Sequence, residues 1–284
     1  MPKSAAKTIM NRISLIATAA ILWANICVAE PLKVVMPPFE KTIEIHLVYF
    51  YKVLELALHK TEVTDGPFEL STSSEFTSVD RCFADLKSGK NINVMWTVTN
   101  QKRESEFLPI RVSLLRELNN FRIFLIRNGD QARFDNINTI DDLRKFSAGL
   151  GSQWPDTDVM RFNELNVITS PSYLPLFKML TAKRFDYFPR GLYEIWNEEN
   201  VHKDEGIIIE KNIMLYYPAP FYFFVNKDNA ALASRIERGL KLAIADGSFD
   251  ELLLSIPGFK RAHEEQKNAH RKLFILEAPS KNQI

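Results

Sequence analysis

The chain has 284 residues, 46% of them apolar, with 36 basic against 35 acidic side chains and a formal net charge of +1. So balanced a charge supplies no global field for nucleic acid or an anionic membrane, and no basic block or aromatic-basic stripe supplies one locally, so binding of those kinds is disfavoured. The length suffices to bury a large core divided between two compact units.

Lys3, Lys7 and Arg12 precede an uncharged run over residues 13–26 that ends in Cys27-Val28-Ala29. This pattern predicts a secretory signal peptide over residues 1–29, cleaved after Ala29. The run is shorter than the roughly 20 apolar residues a spanning helix needs. The alternatives are an uncleaved N-terminal anchor, or a lipid-anchored Cys27, against which Ile26 stands where a small residue is wanted. The expected mature chain starts at Glu30 in the periplasm, is not inserted in the membrane, and carries 33 basic against 35 acidic side chains. Cys82 is then its one cysteine, so packing rather than an internal disulfide must stabilise it.

Short β-rich runs alternate with longer amphipathic stretches from there on: a strand at residues 32–36, a helix over about 42–59, a strand at 68–71, a helix over 79–87 stopped by Gly89, and a strand at 92–96. This is an α/β rhythm and predicts a largely parallel sheet. The apolar strand 121–127 (FRIFLIR) and the turn Asn128-Gly129-Asp130 open a fresh series, whose first helix is capped by Thr139. Strands at 147–151, 167–169, 185–188 and 207–209 follow, with helices between them. Tyr216-Tyr217-Pro218-Ala219-Pro220 then leads into the strand 221–225 and a helix over 230–245 stopped by Asp246-Gly247, read as a return to the first unit. No repeat of fixed period interrupts the series.

Several stretches, in order, resemble the amino-acid-type family of periplasmic substrate-binding proteins. Met36-Pro37-Pro38-Phe39-Glu40 is similar to that family's loop after the first strand, and residues 86–94 (LKSGKNINV) to its helix-Gly-strand step. Residues 96–110 (WTVTNQKRESEFLPI) resemble its Thr-x-Thr, Arg and hydrophobic-Pro segment, and residues 236–253 its closing helix, Asp-Gly turn and last helix. The resemblance implies a two-lobed, type II periplasmic-binding-protein-like α/β fold, each lobe a mostly parallel sheet flanked by helices, hinged on two crossing strands around a ligand cleft. Residues 30–120 and 219–284 are expected in lobe one and residues 121–218 in lobe two.

The same resemblance places Arg103, beside Thr97 and Thr99, near the family's carboxylate-gripping arginine; the rival reading is a surface pair with Glu104 or Glu106. Phe39 and Trp154 are expected as apolar walls of the cleft, against a core-packing alternative. In residues 184–196 (RFDYFPRGLYEIW), Asp186 falls on a structural position, and Gly191 stands where amino-acid binders place the acid that pairs with the ligand ammonium. Arg190 beside it is expected as an added cationic anchor, with Glu194 as a compensating acid; the alternative is a structural Arg190–Glu194 bridge at i,i+4. The loops holding Phe39, residues 97–103, residues 152–157 and Arg190 all follow strands and are expected to converge.

Catalytic signatures are sparse. His263 and His270 flank Glu264 and Glu265 at a spacing that is not the zinc-helix motif, and Cys82 sits in an amphipathic helix. The expected function is capture of a small, anionic, carboxylate-bearing metabolite by lobe closure, without cofactor, by a monomer serving a membrane permease or a sensor. The rival is an enzyme on the same scaffold, such as a small-acid dehydratase, for which Glu40, Asp156 and Glu194 are the candidates.

Overall fold

The computed structural model describes residues 30–38, 45–74, 79–267 and 270–279. The expected signal peptide, Phe39 and Glu40 lie outside them.

In the first lobe, strand β1 (Leu32–Met36) pairs in parallel with β2 (Phe68–Thr72), and between them run α1 (Ile45–Lys60) and the short α2 (Glu62–Asp65). Helix α1 turns Tyr49, Phe50, Val53, Leu54, Ala57 and Leu58 into the core, the three- and four-residue spacing of one helix face. After α3 (Val79–Ser88), Gly89 takes φ +64°, the left-handed geometry that ends a helix cheaply only at glycine. Asn93 replaces a strand on the other side of β1: its side chain accepts from Val35 N at 2.8 Å and donates to Lys33 O at 2.7 Å. Strand β3 (Met95–Val98), helix α4 (Gln101–Glu106) and strand β4 (Phe107–Ile110) complete the outward path.

The second lobe begins with β5 (Phe121–Arg127), followed by α5 (Gln131–Phe134), α6 (Ile140–Leu143), β6 (Ser147–Gly151), α7 (Pro155–Phe162) and β7 (Asn166–Ser170). Thr139 caps α6 as expected, in a reciprocal box with Asp142. Then come α8 (Leu174–Thr181), β8 (Phe188–Gly191), α9 (Ile195–His202), β9 (Ile207–Ile209) and β10 (Ile213–Tyr216). The chain returns through residues 217–220 to β11 (Phe221–Asn226), which lies between β3 and β4, and continues into α10 (Ala230–Ala245), α11 (Ser248–Ser255), α12 (Pro257–Gln266) and β12 (Lys272–Ile275).

Two expectations are corrected. The sheets are mixed rather than mostly parallel: β1–β2, β6–β7 and β10–β12 are parallel, whereas β11 runs against β3 and β4, and β5 against β8, β9 and β10. The cause is the passage between lobes. A strand that re-enters beside the crossover, as β11 does with Phe221 opposite Val98, must run against the strand that led there. The second correction concerns the C-terminal strand, expected in lobe one. β12 pairs with β10 at the edge of the second lobe's sheet, so the chain passes between the lobes three times.

The larger buried cluster does not respect the lobes either. It joins Phe50, Phe221 and Phe223 to Phe177, Phe188 and Ile195. Tyr193 of the second lobe meets both Phe221 and Phe259 edge-on, at 6.2 and 6.0 Å between ring centres. A second cluster around Phe124, Phe134, Leu150 and Tyr187 lies wholly within the second lobe and the strands that enter it.

Candidate functional site

A cleft of about 980 Å³ opens between the lobes. Its first wall is the end of β3 and the start of α4, its second the residues that lead into α7, and its floor the crossover residues Tyr217, Pro218 and Ala219, with Ala278 and Pro279 at one edge. Two of the loops expected to converge, those after β3 and β6, do so. Each wall is held by local chemistry. Asn100 caps α4 by accepting from Arg103 N at 2.8 Å, and Thr99 N donates to Pro220 O at 3.0 Å, tying the wall to the crossover. Opposite, Trp154 precedes Pro155 at the first turn of α7 and lies on Gly151, where a Cβ would fall 2.4 Å from the indole. Gly151 thus lets the Trp154 ring close onto the backbone while its edge lines the cleft.

Thr99 lines the cleft, but its hydroxyl is spent on Glu104 at 2.7 Å, and Thr97 lies within β3 opposite Tyr222, away from the lining. Arg103 is not among the residues that line the cleft, although its neighbours Lys102 and Glu104 are. Its Nη1 donates to Val98 O at 2.5 Å and its guanidinium packs 5.3 Å from the Phe83 ring centre. The surface pairing with Glu104 or Glu106 does not occur: Glu104 takes Arg111 at 2.7 Å, and Glu106 lies 3.9 Å from Lys87. Among the described residues no carboxylate comes within ion-pair distance of Arg103. Burial lowers its pKa to about 10, and the charges of Asp156 and Asp80 offset only part of that. A half-buried cation of this kind gains from an anion brought into the cleft.

Arg190 and Glu194 are not brought to the cleft. Both are buried, and Arg190 donates to Glu198 through Nε at 2.7 Å and Nη2 at 2.6 Å, with Glu194 2.9 Å from the same Nη2. Tyr173 donates its hydroxyl to Glu198 at 2.6 Å, and Gly191 N donates to Glu194 at 3.0 Å. The guanidinium also sits within 4.8–5.2 Å of the ring centres of Phe188, Trp154 and Tyr173. Burial would lower the Arg190 pKa, but the two carboxylates raise it well above its ordinary value. For Glu194, burial and the charge of Glu198 outweigh Arg190, and its pKa is raised. The cationic-anchor expectation is therefore corrected: Arg190 is saturated by two carboxylates, and the bridge at i,i+4 is part of a buried network. Asp186 is structural, accepting from Ser147 N at 2.9 Å and pairing with Arg133 at 2.9 Å.

Sequence reasoning missed Arg122 and Tyr217. Arg122, on β5, reaches Asp156 Oδ1 through Nε at 2.9 Å and Nη2 at 2.8 Å, and Tyr217 donates its hydroxyl to the same oxygen at 2.5 Å. The signal was an arginine at the second position of a strand whose next four residues are apolar, a charge that needs a partner when buried. Burial would raise the Asp156 pKa, but Arg122 and the Tyr217 hydroxyl outweigh it, so the carboxyl is held below its ordinary value. Of the carboxylates suited to the enzyme reading, Asp156 is thus a settled anion and Glu194 lies away from the cleft.

No family model matches the chain, and no curated protein matches it in sequence. Solved structures do match its fold. The periplasmic binding protein of Salmonella typhimurium known for high arginine specificity is 16% identical over 80% of this chain and 99% of its own, with a TM-score of 0.59. The amino acid ABC transporter substrate-binding protein of Streptococcus pneumoniae, bound to L-arginine, is 14% identical over 82% of this chain and 95% of its own, with a TM-score of 0.57. A histidine kinase sensor domain similar to periplasmic binding proteins is 14% identical over 81% and 96%, with a TM-score of 0.54. The chain has the two-lobed α/β fold of the type II periplasmic binding proteins.

Proposed function

We propose that the protein is an exported solute-binding protein that captures a small carboxylate-bearing metabolite of net negative charge and delivers its closed state to a permease or a sensor. The observation that carries the reading is a cleft whose walls come from both lobes and whose floor is their crossover, with Arg103 beside it as a cation without a carboxylate partner. A ligand that touches both walls stabilises the closed state over the open one by its differential contacts. Lys102, exposed on the same wall, adds a second positive charge. The fold's occurrence in transport and sensing proteins supports either partner. Residues 1–29 support export through their sequence pattern, and no helix among the described residues is long and apolar enough to cross a membrane.

The test is a thermal-shift screen followed by calorimetry on the mature chain. Mono- and dicarboxylates should raise the melting temperature, and neutral or basic amino acids should not. Arg103→Ala should weaken the best acid by about 2–5 kcal/mol, because the ligand carboxylate is left desolvated without its charge partner. Arg103→Lys should also bind poorly, since an ammonium lacks the bidentate fork. Near-unchanged affinity in Arg103→Ala would remove Arg103 from the site.

A further inference from the structure

We propose that β12 is a dimer interface, at which two copies of this chain pair edge to edge, antiparallel about a two-fold axis. The monomer expected from the sequence is then the dilute form.

Strand β12 ends the order β12-β10-β5-β8, so only one of its sides is paired. Lys272 N donates to Asn212 O at 2.7 Å and Leu276 N to Tyr216 O at 2.8 Å, which turns the backbone groups of Lys272, Phe274 and Leu276 toward β10. By the two-residue period of a strand, the N–H and C=O groups of Leu273 and Ile275 point away from the sheet. No described residue bonds to these four groups.

An open edge is normally guarded by a charge, a proline or a cover. Elsewhere this chain supplies one: Asn93 closes β1, and β4 carries Pro109. Asn163 closes the path of β12 just beyond the strand, donating to Glu277 O at 2.8 Å and accepting from Glu277 N at 3.0 Å. At Leu273 and Ile275 no described residue does so. Lys272, the one charge in the strand, is turned aside onto Ile137 O at 2.8 Å and Asn138 Oδ1 at 2.6 Å. Leu273 and Ile275 share one face of the strand, 49% and 72% exposed.

A second β12 answers all of this at once, because the edge is self-complementary under a two-fold axis. With Phe274 of both copies on the axis, Leu273 of one lies opposite Ile275 of the other. Their outward groups then match as in an antiparallel ladder and form four N–H···O bonds, while the exposed apolar side chains of the two copies meet as cross-strand pairs. Charge favours the same direction. Neither Lys272 nor Glu277 has an ion-pair partner among the described residues, and antiparallel pairing brings each alongside the other in the second copy. Parallel pairing would set like against like. Asn163 stops the ladder at Glu277, so the pairing is short and the dimer belongs to the weak class.

Sedimentation of the mature chain from about 1 to 500 µM tests this, with half-dimerisation expected at about 10–300 µM for so small an interface. Leu273→Lys combined with Ile275→Lys should weaken the dimer at least about thirtyfold, since two charges per copy meet across the axis. Val63→Lys, which puts the same charge on a 99% exposed apolar residue of the other lobe, should leave it unchanged. Hydrogen exchange locates the contact in the wild type, so a double variant that fails to fold does not decide the matter. The Leu273 and Ile275 amides should exchange at least about twofold more slowly at 500 µM than at 1 µM. A chain that stays monomeric to 500 µM would overturn the proposal. So would a dimer in which these two amides exchange as in the monomer, or one that the double variant leaves intact. No ligand enters the test, so its result is independent of the solute capture proposed above.

Discussion

Replacing Arg190 by alanine separates its two possible roles, because a ligand anchor and a structural cation fail in opposite ways. The side chain neutralises Glu194 and Glu198, two carboxylates with 10% and 4% side-chain exposure, at 2.6–2.9 Å. Removing it leaves the Tyr173 hydroxyl among the donors to Glu198, and Gly191 N and the Tyr193 hydroxyl among those to Glu194, and also removes the cation packed among three aromatic rings. Breaking a buried pair from one side costs about 3–5 kcal/mol. Against a total stability of about 5–15 kcal/mol, that is a third or more of what holds the fold together. The effect also has a pH signature. With the cation gone, burial raises both folded carboxyl pKa values above the unfolded value of about 4.3. The folded variant then favours the protonated acids, so the penalty is small below about pH 4 and grows as pH rises through the folded values. Urea unfolding of Arg190→Ala and wild type across pH 4.5–8 should show midpoints that draw apart with rising pH. Wild-type stability with lost ligand affinity would return Arg190 to the cleft and refute the buried-network account.

Glu194→Gln should be far milder. Its raised pKa means ionised Glu194 is disfavoured by the fold, and the stability tied to its protonated form is lost as pH rises through that value. The variant should gain on wild type as pH rises above the ordinary carboxylate range and lie within about 1 kcal/mol of it at neutral pH; a loss as large as that of Arg190→Ala would show that Glu194 is an indispensable counter-charge. Gly239→Ala sets helix propensity against packing, since a Cβ there would lie 1.9 Å from Ala57 O of α1. Propensity offers up to about 1 kcal/mol, but two backbones must separate, and overpacking costs about 1–3 kcal/mol, so urea unfolding should show net destabilisation. A more stable Gly239→Ala would mean that α1 and α10 do not pack this closely.

What was legible in the sequence was what local chemistry decides. The α/β rhythm, the Gly89 and Gly247 turns, both at positive φ, and the Thr139 cap depend on neighbours a few residues away. The convergence of the segments around Thr99 and Trp154 followed from their places after strands. Strand direction did not follow, because nothing within β11 records that it enters from the other lobe. Arg190 was misread toward the ligand because Glu198, eight residues on, makes its strongest bond only once β8 and α9 have packed. Arg122 and Tyr217 are 95 positions apart and meet only at the crossover, so their joint hold on Asp156 is a property of topology.

The third passage between lobes has a mechanical consequence. Two adjacent crossings define a pivot at the Tyr216 end of β10, about which one lobe can swing. The link into β12 joins at the opposite end, with Lys272 N bonded to Asn212 O and Lys272 paired with Ile213, about 10 Å along the strand. It departs from α12, which rests on α1 through the Phe259–Tyr49 edge contact. Arg271 fastens it further, with Glu265 of α12 at 2.6 Å and the Glu210 carbonyl of lobe two at 2.6 Å. A tether set off the pivot would act as a check-rein, since its two attachments, at α12 and at the Ile213 end of β10, would move relative to each other in any swing of the lobes. If the lobes part as proposed, the Arg271 contacts to both sides would have to break before the two attachments could separate, and they would bound the swing.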